Sequence, residues 1–138
     1  MIRRAALLFT LLGAGCGPAE SPLQLNIVLS AAAPVASDYD IRVFGAKVTC
    51  GKVLAAPETF LTTAICTGAT ADTNEDCHIA RATGKPGEKS RFDLITPGQR
   101  AIFVVGVDAS KIKVSKGCTT VNVTAGAATT ATLNVSAY

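Results

Sequence analysis

Asp72, Asn74 and Asp76, one residue apart in the run DTNEDC, carry the side-chain oxygens and the spacing of the first half of a calcium loop. A complete EF-hand loop also needs glycine at its sixth position and a bidentate glutamate at its twelfth, where this chain has Cys77 and Thr83. These three residues therefore read as a solvated acidic tip, with calcium the weaker alternative, and no cofactor is expected. His78, the single histidine, could join Cys66, Cys77 and an aspartate around zinc, or act as a general base. Zinc needs free thiolates, and a base needs a nucleophile and an orienting acid within reach. The chain has no Gly-x-Ser-x-Gly elbow and no His-Glu-x-x-His pair. His78 is thus expected to be a surface or strand-edge histidine, and no catalytic residue is assigned. GKPGEKS, residues 84–90, has the lysine and serine of a phosphate-binding loop, but Glu88 stands where a glycine must let the backbone approach phosphate. It reads as a turn.

The run MIRRAALLFTLLGAGC places Arg3 and Arg4 before an apolar stretch, then Gly13, Ala14 and Gly15, then Cys16. The apolar part, Ala5 to Leu12, is far shorter than the roughly 18–20 residues that cross a bilayer as a helix. These residues resemble a bacterial lipoprotein signal. The resemblance implies that residues 1–15 are a signal peptide and that Cys16 is the lipidated first residue of the mature protein. Residues 16–22 then form a lipidated tether, polar, small and Pro-containing. The expected location is the cell envelope. Gly17 carries no inner-membrane retention signal of such proteins, which makes the outer membrane, on its periplasmic or surface face, the expected site.

Export changes the meaning of the other cysteines. Cys50, Cys66, Cys77 and Cys118 are an even set, which in an oxidising compartment reads as two disulfides. Three pairings are possible. The favoured one joins Cys66 to Cys77 around a polar loop and Cys50 to Cys118 between an early and a late strand. Charge points away from nucleic acid: removing residues 1–15 takes away Arg3 and Arg4 and no acid, so the formal +3 of the whole chain falls to +1. No basic run with interleaved aromatics remains.

The positions above need a scaffold, and its alternation is legible. LQLNIVLS puts Leu23, Leu25, Ile27 and Leu29 on one face, the mark of a half-buried strand. YDIRVFGAKV is a second strand, with a bend expected at Gly45. Pro57 and Glu58 could open one short helix within 57–65, with a Thr-rich strand the alternative. CHIARAT and SRFDLI flank GKPGEK as an expected hairpin. ITPGQ is a turn with Pro97 second and Gly98 supplying the positive φ of a type II turn. AIFVVGVD, apolar on both faces, is a central strand. KIKVS reads as a short edge strand guarded by its lysines. TVNVT and TATLNVS close the chain, their sequons at Asn122 and Asn134 being outward strand residues. The expected core is Ala101–Val107 with Val121, Val123, Leu133 and Val135. About seven short strands make an all-β chain, a single antiparallel β-sandwich over 23–138.

FDLITPGQRAIFVVGVDAS followed by TTVNVTAGAATTATLNV resembles the second half of a carboxypeptidase-regulatory-like or transthyretin-like module, roughly over 90–136. The resemblance implies a prealbumin-type sandwich and carries over no functional residue. The sequence therefore leads to a non-enzymatic, lipid-anchored envelope lipoprotein, a structural, adhesive or ligand-presenting module. The alternative is a small-ligand or glycan-binding module using the 66–90 loops. The partner is expected to be an envelope protein or glycan, with the membrane contacted through the lipid.

Overall fold

The alternation of the first expected strand fixes where the core lies. In a computed structural model that describes residues 21–30, 33–67 and 72–138, β1 (Ser21–Leu29) buries Leu23 and Leu25 completely. It begins two residues before the expected boundary at 23. Cys16, the signal at 1–15, tether residues 16–20 and loop residues 68–71 lie outside the described residues. The remaining elements are β2 (Asp38–Phe44), α1 (Cys50–Ala55), α2 (Pro57–Leu61), β3 (Ala64–Ile65), β4 (Cys77–His78), β5 (Ala80–Gly84), β6 (Lys89–Ile95), β7 (Gly98–Val107), β8 (Lys113–Val123) and β9 (Thr129–Ala137).

Seven strands form one sheet in the order β5-β2-β7-β8-β9-β1-β6, and β3 and β4 form a separate parallel pair. The described residues are all-β apart from two short helices, as the Thr- and Val-rich composition implies. The sheet turns over where β8 meets β9, a junction paired only at Ser115–Ala137 and Lys116–Ser136. The β6-β1-β9 leaf then faces the β5-β2-β7-β8 leaf across a core built on Leu25, Ile41, Ile102, Val104, Leu133 and Val135. Gly117 permits this turn: a Cβ there would press on the Asn134 carbonyl and on the side chains of Leu133 and Val135.

Four expectations are corrected by the pairing. The sandwich is not wholly antiparallel, because β1 runs parallel to β9, Leu25 opposite Ala131 and Ile27 opposite Leu133. Alternation shows which side chains point inward but not strand direction, and no tight turn joins the first strand to the last. The segment GKPGEK does reverse the chain, with Glu88 N–H donating to the Lys85 carbonyl (3.1 Å) and Gly87 at φ 79°. Its two strands do not pair, however: β5 takes β2 and β6 takes β1. KIKVS is no separate edge strand but the start of β8, which continues through Gly117 between β7 and β9. The second strand ends at Phe44 rather than bending through Gly45.

β7 is central and buried on both faces, as its unbroken apolar run requires. Ile102 and Val104 enter the core between the leaves. Ala101, Phe103 and Val105 enter a second core with Phe44, Val48 and Val53, flanked by Cys50, Phe60, Leu61 and Cys118. Residues 45–67 and 72–77 thus belong to an insertion lying across the outer face of the sheet. The turn before β7 has the expected positive φ at Gly98 (121°).

Candidate functional site

The insertion is where chemistry-bearing residues gather, and its local sequence explains its shape. Thr49 caps α1, its Oγ1 accepting from the Lys52 N–H at 3.3 Å, and Val53 is buried beneath. Pro57 opens α2, where the missing N–H costs nothing. Phe60 meets Phe44 edge to face at 5.5 Å. Two disulfides fix the segment, Cys50–Cys118 to β8 and Cys66–Cys77 across its own loop. Both are the favoured pairing. At its other margin, Glu58 accepts from Lys113 and from the Tyr138 hydroxyl, and the Lys116 ammonium lies 4.7 Å from the Tyr138 ring centroid. Burial, then the hydrogen bond to Glu58, pushes the Tyr138 pKa up to about 12.

Beneath the insertion runs a polar network that alternation in β2 could have revealed. Tyr39, Ile41 and Val43 face the inner core, so Asp40, Arg42 and Phe44 face the insertion. Arg42, 4% exposed, donates to the Phe60 and Thr63 carbonyls (both 3.2 Å) and to Asp40. Asp40 also accepts from Arg81 at 2.8 Å. The guanidinium thereby satisfies carbonyls at and just after the end of α2, that of Phe60 together with the Thr63 hydroxyl.

His78 joins this network and is buried rather than superficial, at 5% exposure. The strand-edge expectation fails because β4 lies between the insertion and β2, with Ile79 N–H donating to the Val43 carbonyl. The ring Nδ1 is 3.1 Å from Thr63 Oγ1, and Phe44 packs against the ring. Burial, then the charges of Arg42 and Arg81, holds the pKa of His78 below its ordinary 6.5; Asp40 opposes them. The folded chain therefore binds fewer protons here than the unfolded chain. This contribution to stability is complete above about pH 6.5 and is lost progressively below it, down to the lowered folded value. Urea denaturation from pH 7.5 to 5 is expected to show that acid loss in the wild type and a shallower one in His78→Gln. Identical slopes would contradict the assignment.

The acidic tip divides. Asp72 sits 2.9 Å from Arg100 Nη1, an ion pair between a half-exposed carboxylate and a guanidinium only 1% exposed, without an aligned hydrogen bond. Arg100 wraps the turn before β7, donating to Thr96 O and Oγ1, Pro97 O and Gln99 O. Asn74 Oδ1 accepts from its neighbour Asp76 N–H at 2.8 Å, an Asx turn. Glu75 pairs with Lys52 at 2.8 Å, both exposed. Among the described residues, no three His, Cys, Asp or Glu side chains converge to hold a metal ion. Asp72→Asn is expected to cost about 1 kcal/mol by weakening the partner of a buried cation. Glu75→Gln and Asp76→Asn should stay within about 0.5 kcal/mol. Equal melting of all three would show that the Asp72–Arg100 pair contributes nothing.

Between α2 and this tip lies an open groove of about 310 Å³, with Thr59, Phe60, Thr62, Thr63 and Ala64 on one wall and Glu75 and Asp76 on the other. It offers hydroxyls, two carboxylates and one ring edge. Of the three candidate loop residues only Asp76 lines it, with its neighbour Glu75; Asp72 and Asn74 do not. The residues missed in the sequence are Asp40, Arg42 and Arg100. No family model matches the chain, and no curated protein matches it.

Proposed function

We propose that the chain is a non-enzymatic lipoprotein of a bacterial envelope, held by lipid on Cys16 and presenting the insertion and its loops to an envelope partner. The observation that carries this reading is the disulfide framework. It uses Cys50, Cys66, Cys77 and Cys118, four of the five cysteines, and leaves Cys16 for modification. Paired cysteines of this kind persist in oxidising compartments, which supports export. The lipoprotein-like signal before Cys16 supplies the route and the anchor. A structural, adhesive or ligand-presenting role is supported by a sandwich that carries its loops on a buried core, since loops on such a scaffold are where binding residues concentrate. The order β6, Pro-Gly turn, β7, β8, β9 supports the likeness to a transthyretin-like module.

The groove favours a second reading, a module that binds a small polar ligand or glycan, to which the 66–90 loops bring Glu75 and Asp76 and residues 59–64 bring the other wall. Its threonine hydroxyls and the Glu75 and Asp76 carboxylates suit hydroxyl-rich ligands.

The first reading is tested by detergent phase partition of the full chain expressed in a bacterial host. Wild type is expected in the detergent phase and Cys16→Ser in the aqueous phase or unprocessed, since two or more acyl chains anchor stably. Equal partition of the two would remove the lipid anchor.

A further inference from the structure

We infer that the domain stands on the membrane by one end, the end made of the β8–β9 connection at 124–128 and the turn before β7, with its opposite end held in water. The inference rests on the lipid anchor at Cys16 proposed above and adds the face that the anchor brings to the lipid.

Ser21 marks the entry end. Its Oγ donates to the Thr124 carbonyl and accepts from the Gly126 N–H, both at 2.9 Å, which pins the start of β1 to the β8–β9 connection. Gly98 lies opposite Val123 and Ser21 opposite Ile95, so the turn at 96–97 belongs to the same end. The opposite end follows from the same registers. Asp38 and Lys113 both lie opposite Val107, and the connections 85–88 and 108–112 close the far rim.

Lengths decide which end can reach the lipid. From Cys16 to Ser21 are five peptide steps, at most about 18 Å when fully extended. β7 runs from one end to the other in 10 residues, about 30 Å at strand rise. Standing on the far end would lift Ser21 beyond what the tether can span. The near end needs no such reach.

The chemistry of the two ends agrees with the lengths. Thr96-Pro97 and Thr124–Ala128 contain no charged residue, and Leu94, one residue from the Ser21–Ile95 pair, is 72% exposed. The far rim carries Asp38 between Lys85 (3.3 Å) and Lys111 (3.1 Å), with Glu88 and Asp108 beside them in the connecting turns. The loops at 96–97 and 124–128 meet a headgroup layer with no charge of their own, the nearby Asp72 and Asp93 being paired with Arg100 and Arg91, whereas the far rim carries its charges in the connecting turns themselves.

The chain contains no tryptophan, so single introduced tryptophans report contact directly. The processed, lipidated protein is placed on phosphatidylethanolamine–phosphatidylglycerol vesicles containing a nitroxide lipid that quenches near the headgroups. Ala127→Trp, Ile112→Trp and Val28→Trp sit at exposed positions at the near tip, the far rim and the β1 flank. All three variants are expected to float with the vesicles. Ala127→Trp should lose about half its emission and shift to the blue, as an interfacial indole does, while Ile112→Trp and Val28→Trp stay unchanged. Stronger quenching of Ile112→Trp or Val28→Trp, or none at Ala127→Trp in floating protein, overturns the orientation alone. Protein that does not float, or Cys16→Ser that floats equally, overturns the anchor and the orientation together.

Discussion

Replacing Cys50 and Cys118 together by alanine is expected to destabilise the domain by about 4 kcal/mol, on the entropy of a loop that spans 68 residues. In a domain of this size that lowers the melting temperature by roughly 10–20 °C. The shorter Cys66–Cys77 loop, separation 11, should contribute about 3 kcal/mol by the same reasoning. The two losses differ in kind as well as size. Cys50 and Cys118 flank the second core, so their removal frees α1 from β8 and exposes Val53 and Phe103. Thermal melts of the two double variants measure the order. A smaller loss for Cys50→Ala/Cys118→Ala than for Cys66→Ala/Cys77→Ala would mean that the second core holds the insertion without its covalent clamp.

The other large effect lies between the leaves. Leu133 is fully buried, opposite Ile27 and in close approach to Gly117. Leu133→Ala removes that burial and leaves a cavity where the sheet turns over, a site that cannot collapse because both backbones are already close. The expected cost is about 3–5 kcal/mol by urea denaturation. Val121, only partly buried at the margin of the same core, should cost less than half as much when truncated to alanine. A loss under about 1 kcal/mol at Leu133 would contradict a single core shared by both leaves.

Much of this architecture is written in period-two patterns. Leu23 and Leu25, Val123, and Leu133 and Val135 announce their burial through alternation, and the apolar run Ala101–Val105 announces a strand covered twice. Gly98 announces its turn. What alternation does not encode is strand partnership over distance. The parallel β1–β9 pair and the separation of β5 from β6 depend on how the whole sheet closes, not on any local signal. α1 was hidden for a different reason: its one cue is Thr49 as a cap, and its six residues are too few for a helical period.

The candidate site was legible in part. Two disulfides follow from the cysteine count once export is assumed, and the favoured one of three possible pairings is the one present. Arg42 and Asp40 carried a readable signal, charged residues alternating with the apolar face of β2, yet their role depends on a covering insertion that the pattern cannot show. Arg100 gave no such cue, because its partners are the carbonyls of its own turn and a carboxylate from a distant loop. His78 looked superficial for the same reason: only the packing of Phe44, Thr63 and Arg42 makes it buried.

We propose that this sandwich hangs from a lipid on Cys16. Mass analysis of the N-terminal peptide of the protein purified from bacterial membranes tests it most directly. The expected peptide begins at Cys16 and carries a thioether-linked diacylglycerol, with no unmodified form in the membrane fraction. A membrane-fraction peptide that retains residues 1–15, or that carries an unmodified Cys16, would contradict it.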